Sequence, residues 1–295
     1  MLVKYFLSLQ VLFIFAITAQ GFEATYSKTA NSWKSFILLG DAGVKNNTTQ
    51  LLKQSLAVNN FKEIISLGDN LYKPFQSYEY VWNDWKQEGF QFPLVAIGNH
   101  HSSYDAEVSY FKLPGEYYAK EFNGALFVVL NSDNKLNADI QVRWLDQVLS
   151  NAKQKMIFLI YHHPSVTLNS YHAWEDRLRF QTGVRSLIKK HAPKITALLN
   201  GHEHSTAIYL LDNVPMVLSG ASFEQFKPVL PISADPLFQV SLGWGAKEGF
   251  WWSKLDFNSE TNEVWIHYLR FDRQPFETCT IRISPKPISR GRNCQ

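Results

Sequence analysis

Short apolar runs that stop abruptly at polar residues set the pattern of this chain. Phe36–Leu39, Ile64–Leu67, Leu94–Ile97, Leu126–Leu130, Met156–Ile160 and Ile195–Leu199 are rich in β-branched and aromatic residues and bounded by Gly, Asn and Asp. Such runs predict strands buried on both faces. Between them, apolar positions recur at helical spacing. Thr48–Val58 carries Leu51, Leu52, Leu56 and Ala57, with Asn47 or Thr48 as its cap, and Tyr78–Glu88 sets Tyr78, Val81, Trp82 and Trp85 on one face. Ile140–Leu149 and Asp176–His191 repeat the helical period. After His204 the strands Ala207–Leu211, Val214–Leu218, Gly249–Phe257 and Val264–Phe271 follow closely, which predicts antiparallel hairpins. Glu224–Gly249 has no clear period and reads as a long loop, a kind more often functional than idle. The expectation is a set of βαβ units feeding a second, more antiparallel sheet within one domain.

What the runs end on matters more than the runs. Asp41 follows SFILLG and Asp69 follows EIISLG. His100 and His101 close FPLVAIGNHH, His162 and His163 close KMIFLIYHHP, and His202 and His204 sit in ITALLNGHEH. Strands ending this way deliver polar side chains to one edge of a sheet, where α/β proteins bind ligands. A pair of metal ions about 3.5–4 Å apart needs a bridging carboxylate and several terminal donors. Asp69 suits the bridge, Asp41 a terminal oxygen, the Asn99 amide an uncharged oxygen, and His162, His202 and His204 offer imidazoles that borderline metals accept. The i, i+2 spacing of His202 and His204 on an extended segment points both rings to one side.

Composition narrows the classes. At 45% hydrophobic and 19% charged residues, the chain of 295 can bury a full core. A formal charge of +3 with no interleaved basic and aromatic run gives no reason to expect a nucleic-acid partner. Residues 1–21 read as a secretory leader: Lys4, an apolar stretch Tyr5–Ala19, then the small residues Ala19 and Gly21. Fifteen such residues are short for a membrane span of roughly 20, so a secreted or periplasmic protein without a stable membrane anchor is expected, with residues 22–295 as its catalytic domain. Cys279 and Cys294 are the only cysteines, and in an oxidising compartment they are expected to pair. The closing stretch RISPKPISRGRNCQ reads as a solvated basic tail. Asn46 and Asn47 each begin an Asn-x-Thr sequon.

The ordered blocks GDAG, GDNLY, GNHH, YHHP and GHEH resemble the five signature blocks of the metallophosphoesterase superfamily, and within it those of purple acid phosphatases. The resemblance runs from about Phe36 to about Leu218. It implies a four-layer α/β/β/α sandwich of two mixed sheets flanked by helices, with a dinuclear metal site at the strand ends. Most relatives write the first block Asp-x-His, whereas Gly43 stands here, and purple acid phosphatases replace that imidazole by a tyrosine three residues after the bridging aspartate, where Tyr72 stands.

By that resemblance Asp41, Asp69, Tyr72 and His204 hold Fe(III), and Asp69, Asn99, His162 and His202 hold a divalent Fe, Zn or Mn. His162 is preferred to His163 because Pro164 fixes the family's His-x-Pro spacing. His100 faces the phosphate, and His172 is a general acid or phosphate contact. His101 departs from the pattern, which has an acidic residue there, and His191 and His267 carry no motif and read as structural. The implied activity is hydrolysis of a small phosphate monoester by a hydroxide held by the metals. The alternatives are a phosphodiesterase of the same superfamily, acting on cyclic nucleotides or glycerophosphodiesters, and a non-enzymatic binding protein, which should have lost ligands that are all present here.

Overall fold

The computed structural model describes residues 32–73, 75–133, 137–166, 178–220, 235, 237–246, 248–273, 278–291 and 294. The expected leader and His172 lie outside them. In chain order the elements are β1 (Lys34–Leu39), α1 (Asn47–Val58), β2 (Glu63–Ser66), α2 (Tyr78–Gln87), β3 (Gln91–Val95), α3 (Tyr104–Phe111), β4 (Tyr118–Phe122), β5 (Ala125–Val129), α4 (Ala138–Asn151), β6 (Met156–Ile160), α5 (Leu178–His191), β7 (Ile195–Asn200), β8 (Thr206–Leu211), β9 (Val214–Ser219), β10 (Val240–Gly245), β11 (Trp251–Asn258), β12 (Glu263–Arg270), β13 (Thr278–Ser284) and β14 (Ser289–Arg290).

Two seven-stranded sheets form, ordered β14-β13-β12-β11-β1-β2-β3 and β10-β8-β9-β7-β6-β5-β4. Within the first, β1, β2 and β3 run parallel while β11 to β14 are antiparallel. Within the second, β5, β6, β7 and β9 are parallel and β4, β8 and β10 are antiparallel edge or near-edge strands. Both sheets are mixed, and helices flank them.

Side-chain alternation builds the layers. Phe36 and Leu38 of β1 enter the core between the sheets, whereas Ile37 and Leu39 face the helices α1 to α3. In β6, Met156, Phe158 and Ile160 point between the sheets, and Ile157 and Leu159 point to α4 and α5. Three apolar interfaces therefore separate four layers, and strands buried on both faces are why these runs are continuously apolar.

Several expectations needed correction. The closely spaced C-terminal strands do not make a second sheet of their own: β8 to β10 complete one sheet and β11 to β14 the other. Strand β10 lies inside the stretch read as a long loop, and β13 and β14 lie where a solvated tail was expected. In β13, Cys279, Ile281 and Ile283 are buried while Thr278, Thr280 and Arg282 alternate with them, a strand period that the basic residues obscured. Cys279 and Cys294 are disulfide-bonded. The cap of α1 is Asn46, not Asn47 or Thr48, because its extended backbone lets its side chain accept from the Thr49 N–H at 2.9 Å while Thr49 accepts back from the Asn46 N–H.

Candidate metal centre

The C-terminal ends of β1, β2 and β3 in one sheet meet those of β6 and β7 in the other. A backbone bond crosses the seam, from Gly40 N–H to Ser219 O at 2.7 Å, while Asp41 N–H to Gly68 O at 3.1 Å and Gly201 N–H to His162 O at 3.1 Å extend the pairing within each sheet. Asp41, Asp69, His162, His202 and His204 converge there, and all are buried. Each sheet thus contributes half of the cluster, the carboxylates from one and the imidazoles from the other.

The donor atoms fall into two groups. Tyr72 OH lies 3.1 Å from Asp41 Oδ1 and 2.9 Å from His204 Nε2, and the latter two are 3.5 Å apart. Donors at about 2.0–2.1 Å from a common ion are separated by roughly 2.9–3.4 Å in octahedral or tetrahedral geometry, so this triangle has the size of a coordination face. In the second group, His162 Nε2 lies 3.1 Å from Asp69 Oδ1 and 3.3 Å from His202 Nδ1. The Asp69 carboxylate reaches both His162 and Tyr72, one in each group.

Backbone strain accumulates at the same residues. Asp41, Asp69, His202 and His204 have φ of 57°, 56°, 68° and 45°. Left-handed backbone at a non-glycine residue costs on the order of 1–3 kcal/mol, and it persists where the surrounding structure over-determines it. Two glycines permit the close approaches. A Cβ on Gly98 would stand 2.1 Å from Asp69 Oδ1, and one on Gly43 would stand 2.3 Å from the Asn70 carbonyl carbon. The second clash leaves no space for a side chain at position 43, and Tyr72 presents its hydroxyl to the cluster.

Second contacts orient the donors. His162 Nδ1 lies 2.8 Å from Leu67 O, so its N–H points there and Nε2 faces the carboxylates. Asp41 Oδ2 accepts the His202 N–H at 2.9 Å, and Asp69 Oδ1 accepts the His100 N–H at 2.9 Å. Burial alone would depress the pKa of His162, but Asp69 and Asp41 outweigh it and push it up to about 9. Burial likewise opposes ionisation of Asp69, yet the His162, His100 and His202 imidazoles hold it well below the usual carboxylate range. Burial, then the Asp41 and Asp69 charges, raise the Tyr72 phenol well above its ordinary value. A concentration of carboxylates that suppresses phenol ionisation is the environment a multivalent cation would reverse.

Asn99 tests whether the residues fit a metal. Its Oδ1 is sealed from solvent and accepts no hydrogen bond among the described residues. A buried carbonyl oxygen without a donor costs about 1–3 kcal/mol, and a cation is a partner that would satisfy it. Together with the carboxylate, phenol and imidazole donors, it makes a set suited to a pair of ions, and Asp41, Asp69 and His162 already place ligand atoms within 4.8 Å of one another.

His100 lies at the exposed mouth, its ring stacked on Tyr72 at 4.5 Å. His101 pairs through Nε2 with Asp133 at 3.3 Å, and Tyr104 OH donates to the same carboxylate at 2.9 Å. The acid that position 101 lacks is thus present nearby, from the end of β5. His191 pairs with Asp146 and His267 with Asp256, both outside the cluster.

Four residues of the surroundings had no nomination from sequence. Asn70 and Glu107 brace the segment that follows Asp69, Ser132 contacts His163, and Asp133 contacts His101. Glu107 is wholly buried, accepts from Asn70 Nδ2 at 2.6 Å and from Tyr78 OH at 3.0 Å, and so ties α3 to the loop after Asp69. Burial, only partly offset by those two donors, pushes its carboxyl up to about 7. Ser132 and Asp133 follow the run FVVLN and could have been found by the strand-end pattern. Glu107 carried no such signal.

No family model matches the sequence, and no curated protein sequence matches it significantly. Solved structures do. GAP50, the anchor in the inner membrane complex of Plasmodium, superposes with a TM-score of 0.64 at 11% identity over 90% of each chain. Vps29 of Entamoeba histolytica in complex with zinc gives a TM-score of 0.46 at 11% identity, over 85% of this chain and 100% of that one. Yfce, a phosphoesterase from E. coli, gives 0.37 at 10% identity, over 82% and 96%. The last two scores are too low to carry weight, and the first speaks to fold alone. The chain shares the two-sheet α/β fold of the GAP50 structure. Its strand ends hold a buried cluster of histidine and aspartate able to take metal.

Proposed function

We propose that this protein is a metal-dependent phosphoric monoester hydrolase of the purple acid phosphatase type. The observation that carries the reading is the Tyr72–Asp41–His204 triangle, with Gly43 excluding the histidine that other metallophosphoesterases place there. Asp41, Asp69, Tyr72 and His204 would hold a ferric ion, a hard cation matched to phenolate and carboxylate oxygen. Asp69, Asn99, His162 and His202 would hold a divalent Fe, Zn or Mn. When bound, such a pair neutralises phosphate charge and makes water nucleophilic below neutral pH. The chain's own part is to orient: Leu67 fixes the His162 ring, Asp41 the His202 backbone, and Asp69 the His100 backbone. His100, exposed at the mouth, is placed to donate to a substrate oxygen. His172, in the role the resemblance implies, lies outside the described residues.

Two other readings compete. A diesterase would share the fold, and fold does not fix the substrate. An anchoring protein, the role named for GAP50, would need no metal ligands, whereas seven filled positions and four strained ones stand here. Assays with p-nitrophenyl phosphate and bis-p-nitrophenyl phosphate separate the readings. The monoester should be turned over much faster at acid pH, a preference for the diester would overturn the assignment, and no turnover of either by metal-loaded protein would favour the anchor. We also place the protein in a secreted or periplasmic compartment, supported by the Lys4 and Tyr5–Ala19 pattern and the Cys279–Cys294 bridge.

A further inference from the structure

Position 163 has no role in the family pattern, yet the histidine there is wholly buried against the donor set. Its ring centroid lies 4.3 Å from that of His202 and 4.9 Å from that of His162. Ligand atoms of His162, His163 and His202 all lie within 4.8 Å of one another. The His162 Nε2 to His202 Nδ1 separation is 3.3 Å, close to the roughly 3.4 Å expected between two imidazoles on one tetrahedral ion.

Ser132 orients the third ring. Its Oγ accepts the His163 backbone N–H at 3.1 Å and lies 2.7 Å from His163 Nδ1. With Nδ1–H donated to that hydroxyl, the lone pair belongs to Nε2, which is sealed from solvent. A ring held by a hydrogen bond at one nitrogen, with the other sealed from solvent beside two more imidazole rings, is the arrangement of a metal-bound histidine and its orienting partner.

We propose that His163 is a third imidazole ligand, through Nε2, of the ion that His162 and His202 hold, with Ser132 as its positioning residue. The proposal rests on the reading that the cluster binds metal. An added nitrogen donor biases this half of the centre toward borderline ions such as Zn(II) and Fe(II) and away from Mg(II). It also gives a reason for paired histidines in YHHP, where a single one meets the family's spacing.

Zinc is a suitable probe because it is diamagnetic. In protein labelled with 15N-histidine, long-range proton–nitrogen spectra report each imidazole nitrogen separately, and a His163→Gln variant assigns the resonances. On adding Zn(II) to metal-free protein, His163 Nε2 should move to the zinc-bound region together with the ring nitrogens of His162 and His202. Zinc affinity of a His163→Phe variant should fall by at least about 10–100-fold. If His162 and His202 respond and His163 does not, the inference falls while the metal centre stands. If no histidine responds to zinc, the metal centre itself falls and takes the inference with it. Where His163→Gln does not fold, backbone-linked assignment of the wild-type protein identifies the His163 ring, so a failed variant does not protect the proposal.

Discussion

At the scale of single residues, Tyr72 carries the most specific chemistry. Its hydroxyl closes a triangle with Asp41 and His204, and no side chain at position 43 can take over its role. A ferric ion bound there should give the concentrated protein a purple or pink charge-transfer band. Tyr72→Phe keeps the ring and its stacking on His100 while removing the oxygen, so the visible band should vanish and iron content should fall. Retention of the band in the variant would remove Tyr72 from the ligand set.

His162 supplies a second residue-scale prediction. With its pKa pushed up to about 9 in the metal-free protein, the ring is protonated at neutral pH and metal must displace that proton. Divalent-metal affinity should therefore rise with pH up to about 9, with close to one proton released per ion at this position at pH 7. The same shift has a folding counterpart. The stabilisation from the His162 cation is full below 6.5, its ordinary value, and is lost as pH rises through about 9. Calorimetry of metal uptake in buffers of different ionisation enthalpy reads the proton release directly, and uptake without release would contradict the His162 assignment.

At the scale of elements, α3 acts as a brace. Glu107 links it to Asn70, whose backbone oxygen also receives the Trp82 indole N–H of α2 at 2.8 Å, so two helices fix the turn that carries Asp69. A carboxyl raised from 4.5 to about 7 is protonated in the folded chain before it is in the unfolded one. Its contribution is therefore fully present below pH 4.5 and is lost as pH rises through about 7, a swing of about 3 kcal/mol. Denaturation of metal-free protein should show Glu107→Gln gaining on the wild type between about pH 5 and about pH 8. A difference that does not vary with pH would show that burial does not hold the carboxyl neutral.

These elements also show what a sequence can and cannot disclose. Strands β1, β2, β5, β6 and β7 were readable because both faces are buried and their runs are apolar but for the small buried Ser66 and Thr196. Asp41, Asp69, Asn99, His162, His202 and His204 were readable because they sit where such runs stop. Helix α3 was not, being a short element that opens on Ser103, Tyr104 and Asp105 and buries only Glu107 and Phe111. Glu107 is a polar residue whose partners come from a loop and a helix far along the chain, and periodicity reports nothing about such partners. Strand β10 escaped because its alternation is broken by Gly243 and by a shift in its pairing with β8 between Leu242 and Trp244.

At the scale of the whole molecule, the centre lies on the seam between two seven-stranded sheets, with carboxylates, phenol and amide from one and imidazoles from the other. A metal held there would bind the folded pairing of the sheets and not the separated chain. Ions present at about a thousand times their dissociation constant should stabilise the fold by about 4 kcal/mol. One sample tests the central claim: protein stripped with a chelator, then restored with iron and zinc, followed for metal content, melting temperature and turnover of p-nitrophenyl phosphate at acid pH. The stripped protein should be folded, less heat-stable and inactive, and the restored protein should hold two ions per chain and recover both stability and turnover. Turnover that survives in the stripped protein, or a restored protein that binds no metal, would contradict it.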